Sequence, residues 1–300
     1  MNDQSPPSSP LMEATNLVKE FTVSGSGAGA RKRIVRAVDD VSLSIGYGET
    51  LALVGESGSG KSTTARMLAR LMDIDGGEIR FEGQEVGHLG TKALRPFRSS
   101  VQVVFQDPYS SLNPRHSVER LVTAPLAYQK RPIPGGARAF TKGLMERVGL
   151  NPDHSTRLPS QFSGGQAQRI GIARALAVGA KLVICDEAVS ALDVSVQAQV
   201  MNLLQQLREE EGFSYLFIAH DLAVVRQIAD RVAVMSAGKI VESGTRDQVF
   251  DDPQHEYTRT LLSAVPRIRP EWEAARRRNR AHTHGAEPTE PSDAVEPGAS

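Results

Sequence analysis

The sequence has almost no cysteine, no excess of charge of either sign and no long apolar run. One cysteine among 300 residues excludes an internal disulfide and any cluster or zinc site built from cysteines, and it fits a reducing compartment. Lys plus Arg and Asp plus Glu each number 35, so there is no basic excess for gripping nucleic acid. No stretch reaches the roughly 18 apolar residues that span a bilayer. Residues 1–10 lack the profile of a secretory signal. We therefore expect a soluble protein that reaches a membrane only by docking onto another protein.

Three stretches are poor in residues that could be buried. Residues 1–10 are rich in Pro and Ser, and residues 271–300 join a basic run to an acidic, Pro-rich tail. Both compositions predict disorder, with a short helix fraying at the start of the tail. The segment SGSGAGARKR (24–33) separates two strand-like segments and is expected to be a mobile hairpin loop.

Between the two ends, short apolar runs alternate with amphipathic stretches. The apolar, β-branched runs are ETLALVG (49–55), VQVVF (101–105), KLVICD (181–186), SYLFIAH (214–220) and RVAVMSAG (231–238). Such runs indicate strands buried on both faces, hence a parallel sheet covered by helices. The helical stretches between them are 63–72, 164–178, 196–210 and 222–229. The alternation favours an α/β fold.

The first chemical motif is a phosphate-binding loop. GESGSGKST (55–63) matches G-x-x-x-x-G-K-[ST], follows an apolar strand and opens a helix. Lys61 is expected to reach the β- and γ-phosphates, and the Ser62 hydroxyl to bind Mg²⁺. The strand before and the helix after disfavour the alternative, a Gly/Ser turn beside a coincidental lysine. The residues predicted to bind nucleotide here are Gly55, Glu56, Ser57, Gly58, Ser59, Gly60, Lys61, Ser62 and Thr63.

The second motif is a pair of acids at the end of an apolar strand. KLVICDEA places Asp186 and Glu187 where ligands bind in doubly wound sheets, at the carboxyl end of a strand. Asp186 is expected to hold Mg²⁺ through water, and Glu187 to polarise the attacking water. A solvated acidic turn is the alternative, and the phosphate loop argues against it. Cys185 is expected to serve core packing alone.

The third motif lies in QFSGGQAQRIGIARAL (161–176). Ser163 and Gln166 fit a capping box at a helix start, which by itself could explain both residues. Gly164 and Gly165 would also leave backbone N–H groups bare, which makes a second anion site. One chain has one phosphate loop, so we expect this second site to face a nucleotide bound to another subunit, in a head-to-tail pair.

The sequence resembles the nucleotide-binding subunit of an ABC transporter in the order and spacing of four segments. These are the phosphate loop, FSGGQAQR, VICDEAVSALD and FIAHD. The resemblance covers about residues 11–250. It implies a P-loop NTPase (RecA-like) α/β core with an antiparallel β subdomain and an α-helical subdomain at about 107–178. It also implies ATP and Mg²⁺ as cofactors.

The resemblance assigns four further residues. Gln106 would sense Mg²⁺, so that the metal residues are Ser62, Gln106 and Asp186. Asp193 would close the SALD loop across the dimer, and His220 would contact the γ-phosphate. Phe21 would stack on adenine. A core phenylalanine and a satisfied structural histidine are the alternatives for Phe21 and His220.

The sequence departs from the family pattern at two places. Phe162 stands where Leu usually precedes SGGQ, and Ala188 and Val189 replace the common Pro-Thr after the catalytic acid. Neither change removes a phosphate contact or the predicted base. We therefore expect an active hydrolase.

Finer features resemble the ATPases of importers for di- and oligopeptides, some of which take up nickel. They are VFQDPYSSLNPR (104–115), ALDVSVQAQVMNLL (191–204), the insert at 24–35 and HEYTRTLLSAVP (255–266), which lies in a C-terminal extension at about 251–270. The single cysteine excludes the cysteine-ligated iron–sulfur cluster that some members carry. The resemblance implies a second ATPase, two permeases and an external solute-binding protein. A paralogue is the expected second ATPase and a second copy the alternative. The expected location is the cytoplasmic face of the plasma (inner) membrane.

Other functions share some of these motifs. A non-transport ABC ATPase would keep them all, but the translation factors usually join two cassettes and the repair proteins insert coiled coils or zinc sites. A P-loop kinase or GTPase would need neither SGGQ nor His220. A non-hydrolysing regulatory subunit would also keep these motifs, and only a measurement of ATP turnover by the purified protein would distinguish it from an active ATPase.

Overall fold

The computed structural model describes residues 9–24, 32–190 and 192–263. The predicted disordered ends therefore lie almost wholly outside the described residues, as do most of the predicted hairpin loop and the last part of the C-terminal extension. Met1–Leu262 makes up one compact unit; of a second unit, Ser263–Ser300, only Ser263 is described.

The described residues fold into strands and helices that alternate along most of the chain. The strands are β1 (Met12–Ser24), β2 (Lys32–Ile45), β3 (Thr50–Val54), β4 (Gly76–Phe81), β5 (Gln84–Glu85), β6 (Val101–Phe105), β7 (Leu182–Asp186), β8 (Ser214–Ile218), β9 (Arg231–Ser236) and β10 (Lys239–Thr245). The α-helices are α1 (Lys61–Leu68), α2 (Arg95–Ser100), α3 (Pro108–Ser111), α4 (Val118–Tyr128), α5 (Ala137–Arg147), α6 (Gly164–Val178), α7 (Val194–Glu211), α8 (Leu222–Ile228), α9 (Arg246–Asp251) and α10 (Glu256–Ser263). Two short 3₁₀ turns, Pro152–Thr156 and Pro159–Gln161, precede α6.

A six-stranded sheet runs through the centre of the fold in the order β10-β9-β3-β8-β7-β6. β9, β3, β8, β7 and β6 are parallel, and β10 joins the edge antiparallel to β9. These five parallel strands are the five apolar runs predicted from the sequence. Every residue of β3, β7 and β8 is buried, because helices and the second sheet exclude water from both faces.

The second sheet is antiparallel and has the order β2-β1-β4-β5. Its inward side chains share one hydrophobic core with the parallel sheet and α1. Leu17, Leu53, Leu68, Ile79 and Leu216 belong to this core. The antiparallel sheet and the parallel sheet confirm the predicted α/β class with an antiparallel β subdomain.

Four helices, α1, α6, α7 and α8, occur where the apolar periodicity predicts them. α6 has the predicted bounds 164–178, whereas α1 ends at Leu68 and not at 72. Arg70 has a left-handed backbone (φ 52°), and a residue in that conformation cannot continue a helix. α3, α4, α5 and α6 lie between β6 and β7 in the chain and pack on one another, which forms the α-helical part of the fold.

Candidate functional site

The carboxyl ends of four parallel strands meet at one edge of the central sheet. Leu53 of β3 is paired with Ile218 of β8. Ile218 is paired with Asp186 of β7, and Asp186 with Phe105 of β6. The residues that follow these paired positions therefore emerge side by side, which is where ligands bind in open α/β sheets.

The predicted site residues occupy that edge. The phosphate loop begins at Gly55, immediately after β3, and Gln106 follows β6 directly. Asp186 and Glu187 lie at the end of β7, and His220 lies two residues beyond β8. The fold thus brings together the two halves of the predicted site, which are more than a hundred residues apart in sequence.

The phosphate loop requires glycine because other backbone passes close to it. Gly55 and Gly60 have φ values of 148° and 108°. A Cβ at Gly55 would lie 2.1 Å from the carbonyl oxygen of Met235, and one at Gly60 would lie 2.3 Å from that of Ala37. Any side chain at either position would therefore push the loop off the sheet.

The Lys61 side chain is buried and folds back over its own loop. Its Nζ donates to the carbonyl oxygens of Gly55 and Glu56, at 2.8 and 2.6 Å. Burial lowers the pKa of the Lys61 ammonium group. The nearby carboxylates of Glu187, Asp186 and Glu56 oppose the shift without reversing it. Lys61 Nζ also donates to the Ser59 hydroxyl at 3.3 Å. A buried cation whose hydrogen bonds go to neutral oxygens is well suited to an anionic ligand.

The oxygen atoms of Ser62 and Asp186 lie next to each other. The Ser62 hydroxyl donates to Asp186 Oδ1 at 2.8 Å, and Asp186 is buried. Among the described residues there is no group of three or more His, Cys, Asp or Glu side chains that could hold a metal by themselves. Mg²⁺ commonly takes only one or two protein oxygens and fills its other positions with water and phosphate. The pair therefore fits Mg²⁺, and Gln106 is exposed at the adjoining strand end.

Glu187 and His220 face each other at the same edge. His220 Nδ1 lies 3.8 Å from Glu187 Oε2, and the His220 side chain is 60% exposed. That exposure does not fit the alternative of a satisfied structural histidine. Glu187 has a left-handed backbone (φ 52°), and its N–H donates to the Ile218 carbonyl at 3.0 Å. Backbone strain of this kind is held only where surrounding structure fixes it, and it concentrates at functional sites.

In the SGGQ segment, a capping box accounts for Ser163 and Gln166, and close packing restricts the side chain at Gly165. Ser163 Oγ accepts the Gln166 N–H at 3.4 Å, and Gln166 Oε1 accepts the Ser163 N–H at 3.0 Å, which is a capping box. A Cβ at Gly165 would lie 2.2 Å from Cγ1 of Val196 in α7. In the part of the chain that the structure describes, no hydrogen bond joins 163–166 to the phosphate loop.

Asp193 and Phe21 are both accessible. The Asp193 carbonyl accepts the Gln197 N–H at 2.8 Å, which is the first hydrogen bond of α7. The Asp193 side chain is exposed, and the next residue, Val194, is 83% exposed. Phe21 lies in β1 and is 38% exposed, so it is not a core residue. The alternative interpretation of Phe21 is therefore wrong.

Cys185 and Phe162 serve packing. Cys185 is fully buried on β7, and burial raises the pKa of its thiol to about 12, as expected of a core cysteine. Phe162 is buried before SGGQ, and its ring meets that of His154 edge to face with centroids 6.2 Å apart.

The sequence analysis missed two polar residues that tie the helical region to the site. Gln168 is buried, and its Nε2 donates to the Phe105 carbonyl at 3.3 Å, immediately before Gln106. The Tyr109 hydroxyl donates to the Phe162 carbonyl at 2.8 Å, immediately before Ser163. The one available signal was a glutamine on the apolar face of α6. These contacts link the Gln106 segment to the SGGQ segment.

A third missed residue is Tyr257 of α10. Its hydroxyl accepts the N–H of Glu56 in the phosphate loop at 3.0 Å. Nothing in the local sequence around Tyr257 indicates this contact, because the two residues lie 201 positions apart.

The chain resembles known proteins in sequence and in fold. The family model described as ABC transporter matches residues 38–190, and that described as oligopeptide/dipeptide transporter, C-terminal region, matches residues 241–292. The chain is 51% identical over 262 residues to the glutathione import ATP-binding protein GsiA of Escherichia coli (strain K12). It is 50% identical over 268 residues to the protein of that name from Salmonella paratyphi A. These matches cover 87% and 89% of the chain but only 42% and 43% of the relatives, so the chain spans less than half of their length.

Two solved structures share the fold. One is an ATP-binding cassette described as a dimeric, post-hydrolysis state bound to ADP and Pi, with a TM-score of 0.69 and 28% identity; 78% of this chain and 98% of that chain are covered. The other is CbiO1 from Clostridium perfringens, described as part of the ABC transporter complex CbiONQ, with a TM-score of 0.70 and 26% identity over 88% and 99% of the two chains. Among the described residues, no helix is both long enough and apolar enough to cross a bilayer.

Proposed function

The chain belongs to the ABC transporter family, and we propose on that premise that it binds and hydrolyses ATP to power an importer of di- and oligopeptides. The observation that carries the proposal is the joint match to the cassette and to the C-terminal region of oligopeptide/dipeptide transporters. The similarity to glutathione import proteins supports the same cargo class, because glutathione is a short peptide.

ATP would bind at the phosphate loop (55–63), over which the Lys61 side chain folds back. The ammonium group would exchange the carbonyls of Gly55 and Glu56 for the β- and γ-phosphates. The N-terminus of α1 adds a favourable field for anions. Ser62 and Asp186 would hold Mg²⁺, which, when bound, neutralises phosphate charge.

Hydrolysis would be carried by the groups at the ends of β7 and β8. Glu187 is proposed to accept a proton from the attacking water, and His220 to contact the γ-phosphate. The distance of 3.8 Å between their side chains lets them act on one phosphate and one water. Gln106 would sense the metal at the adjoining strand end.

The second half of each catalytic site would come from a neighbouring ATPase subunit. Ser163, Gly164, Gly165 and Gln166 carry no hydrogen bond to their own phosphate loop, and the exposed Asp193 and Val194 lie on an accessible surface. The similar cassette solved as a dimer with ADP and Pi supports this arrangement. ATP would then close the pair by binding the closed state more tightly, and hydrolysis would open it. A paralogue is the proposed partner, with a second copy as the alternative.

The segment after Gln106 would receive the permease. An open cavity of about 610 Å³ lies along this surface, and it is lined by Tyr109, Ser110, Leu112, Asn113, Pro114 and Arg115. Tyr109 also holds the carbonyl before Ser163, so movement here would reach the SGGQ segment. We propose two permeases and a solute-binding protein as partners, and the cytoplasmic face of the plasma membrane as the location.

Uptake by the intact complex tests the proposal. The membrane complex is isolated through this subunit, its companions are identified, and entry of labelled dipeptides, oligopeptides and glutathione is measured. Peptide uptake that requires ATP and disappears with Lys61→Ala is expected. As a control, Lys181→Ala removes only a surface ion pair with Glu82 and should leave uptake intact. Uptake of a metal ion or another solute, without peptide, would contradict the assigned cargo.

A further inference from the structure

The C-terminal helix α10 contacts the phosphate-binding loop directly. The Tyr257 hydroxyl accepts the N–H of Glu56 at 3.0 Å. The carbonyl of the same residue accepts Lys61 Nζ at 2.6 Å. Glu56 is therefore held at both ends of its backbone, by Tyr257 on one side and by Lys61 on the other. Its side chain is exposed, so the backbone contacts are what fix its position.

The start of α10 is itself anchored to the central sheet. The Glu242 carboxylate on β10 accepts the N–H groups of Gln254 and His255, at 2.8 and 3.0 Å. Partial burial raises the pKa of Glu242, but the hydrogen bonds it accepts outweigh burial and leave the pKa below its ordinary value. His255 Nδ1 in turn accepts the Tyr257 N–H at 3.1 Å. The chain of contacts runs from β10 through the start of α10 to the phosphate loop.

We propose that Tyr257 is a positioning residue for the phosphate-binding loop, and that the C-terminal segment 241–263 sets nucleotide affinity through it. The inference rests on the proposed function, because it takes ATP as the ligand of the loop. A loop whose first turn is held in place before ATP arrives loses less conformational freedom on binding. Residues matched to the oligopeptide/dipeptide transporter C-terminal region thus act on the cassette's own site.

Removing the hydroxyl tests the contact. In the full chain, Tyr257→Phe leaves the ring and removes the acceptor of the Glu56 N–H. We expect ATP affinity, measured by calorimetry in EDTA so that no turnover occurs, to fall about two- to tenfold, the range of one net hydrogen bond. The thermal midpoint should change little. The matched control is Tyr47→Phe, which removes a hydroxyl bonded to Glu82 at the opposite end of β3 and should leave affinity unchanged.

A double substitution tests the route. Glu242→Gln weakens the anchor of α10. When Tyr257 is retained, this substitution is expected to lower ATP affinity. In the Tyr257→Phe background, Glu242→Gln should have almost no further effect, since the contact through which it acts is gone. Equal losses from Glu242→Gln in both backgrounds would overturn the route through Tyr257.

Hydrogen exchange tests the contact between Tyr257 and Glu56 without any bound nucleotide. Without nucleotide, the Glu56 amide should exchange faster in Tyr257→Phe than in Tyr47→Phe. If the unchanged chain binds no ATP, the proposed function fails and the inference fails with it. If it binds ATP and Tyr257→Phe binds equally well, the inference alone is overturned.

Discussion

At the scale of single residues, Glu187 combines backbone strain with a position beside His220. The Glu187 side chain is 24% exposed, so water can reach its carboxylate. We expect Glu187→Gln to bind ATP normally and to accumulate the closed dimer. Hydrolysis should fall by about 10²–10⁴-fold, because the amide cannot accept the proton. Single-turnover hydrolysis and light scattering with ATP measure both effects.

The control for this substitution is Glu209→Gln, which makes the same change on the exposed face of α7. Its turnover should equal that of the unchanged chain. Near-normal hydrolysis by Glu187→Gln would remove Glu187 as the base.

Ser163 has two proposed roles that two substitutions can separate. Ser163→Ala removes the cap and costs about 1 kcal/mol of stability. Ser163→Asp keeps a capping oxygen but adds a negative charge. If Ser163 faces the phosphates of a partner's nucleotide, Ser163→Asp should hydrolyse ATP more slowly than Ser163→Ala while being the more stable protein. Urea unfolding and ATPase rates are the measurements; hydrolysis that follows stability would leave only the capping role.

At the scale of elements, the approach of α6 to α7 depends on Gly165. Val196 is β-branched and has little freedom to rotate within a helix. Gly165→Ala should therefore lower the free energy of unfolding by about 1–3 kcal/mol, as overpacking does. Adding Val196→Ala should restore most of the loss, measured by urea unfolding.

The neighbouring glycine is the control. A Cβ at Gly164 would lie 3.6 Å from Leu192 Cδ2, an ordinary contact, so Gly164→Ala should be tolerated. If Gly165→Ala proves as stable as Gly164→Ala, the close packing of α6 on α7 is not a constraint.

At the scale of the whole molecule, mixing two inactive variants tests whether each catalytic site is shared between two subunits. When two copies pair, a Lys61→Ala subunit still supplies Ser163, and a Ser163→Asp subunit still supplies Lys61. A mixed dimer then contains one complete site, whereas each variant alone contains none. ATPase activity should therefore rise on mixing, and each mixed dimer should reach at most half of the activity of an unchanged dimer, because one of its two sites is complete. Mixed dimers that form, as seen by native mass spectrometry, and yet remain inactive would show that each site lies within one chain.

The sequence by itself determined the family and the five parallel strands, and it predicted residues of the candidate site. Continuous apolar runs predict buried parallel strands, and each chemical motif is a short segment whose spacing is local, as at 55–63 and 163–166. The comparisons confirm the family and the fold. That this chain hydrolyses ATP stays a proposal. The roles of the individual site residues stay predictions.

Only the tertiary structure showed that Phe21 and His220 are exposed, because exposure depends on what the rest of the chain covers. It also revealed Gln168, Tyr109 and Tyr257 as contacts of the site. These contacts join segments distant in sequence, and no local pattern encodes them. The physical reason is that hydrogen bonds across a fold depend on the three-dimensional position of both partners, whereas the apolar runs, the capping box and the phosphate-loop motif are patterns of neighbouring residues.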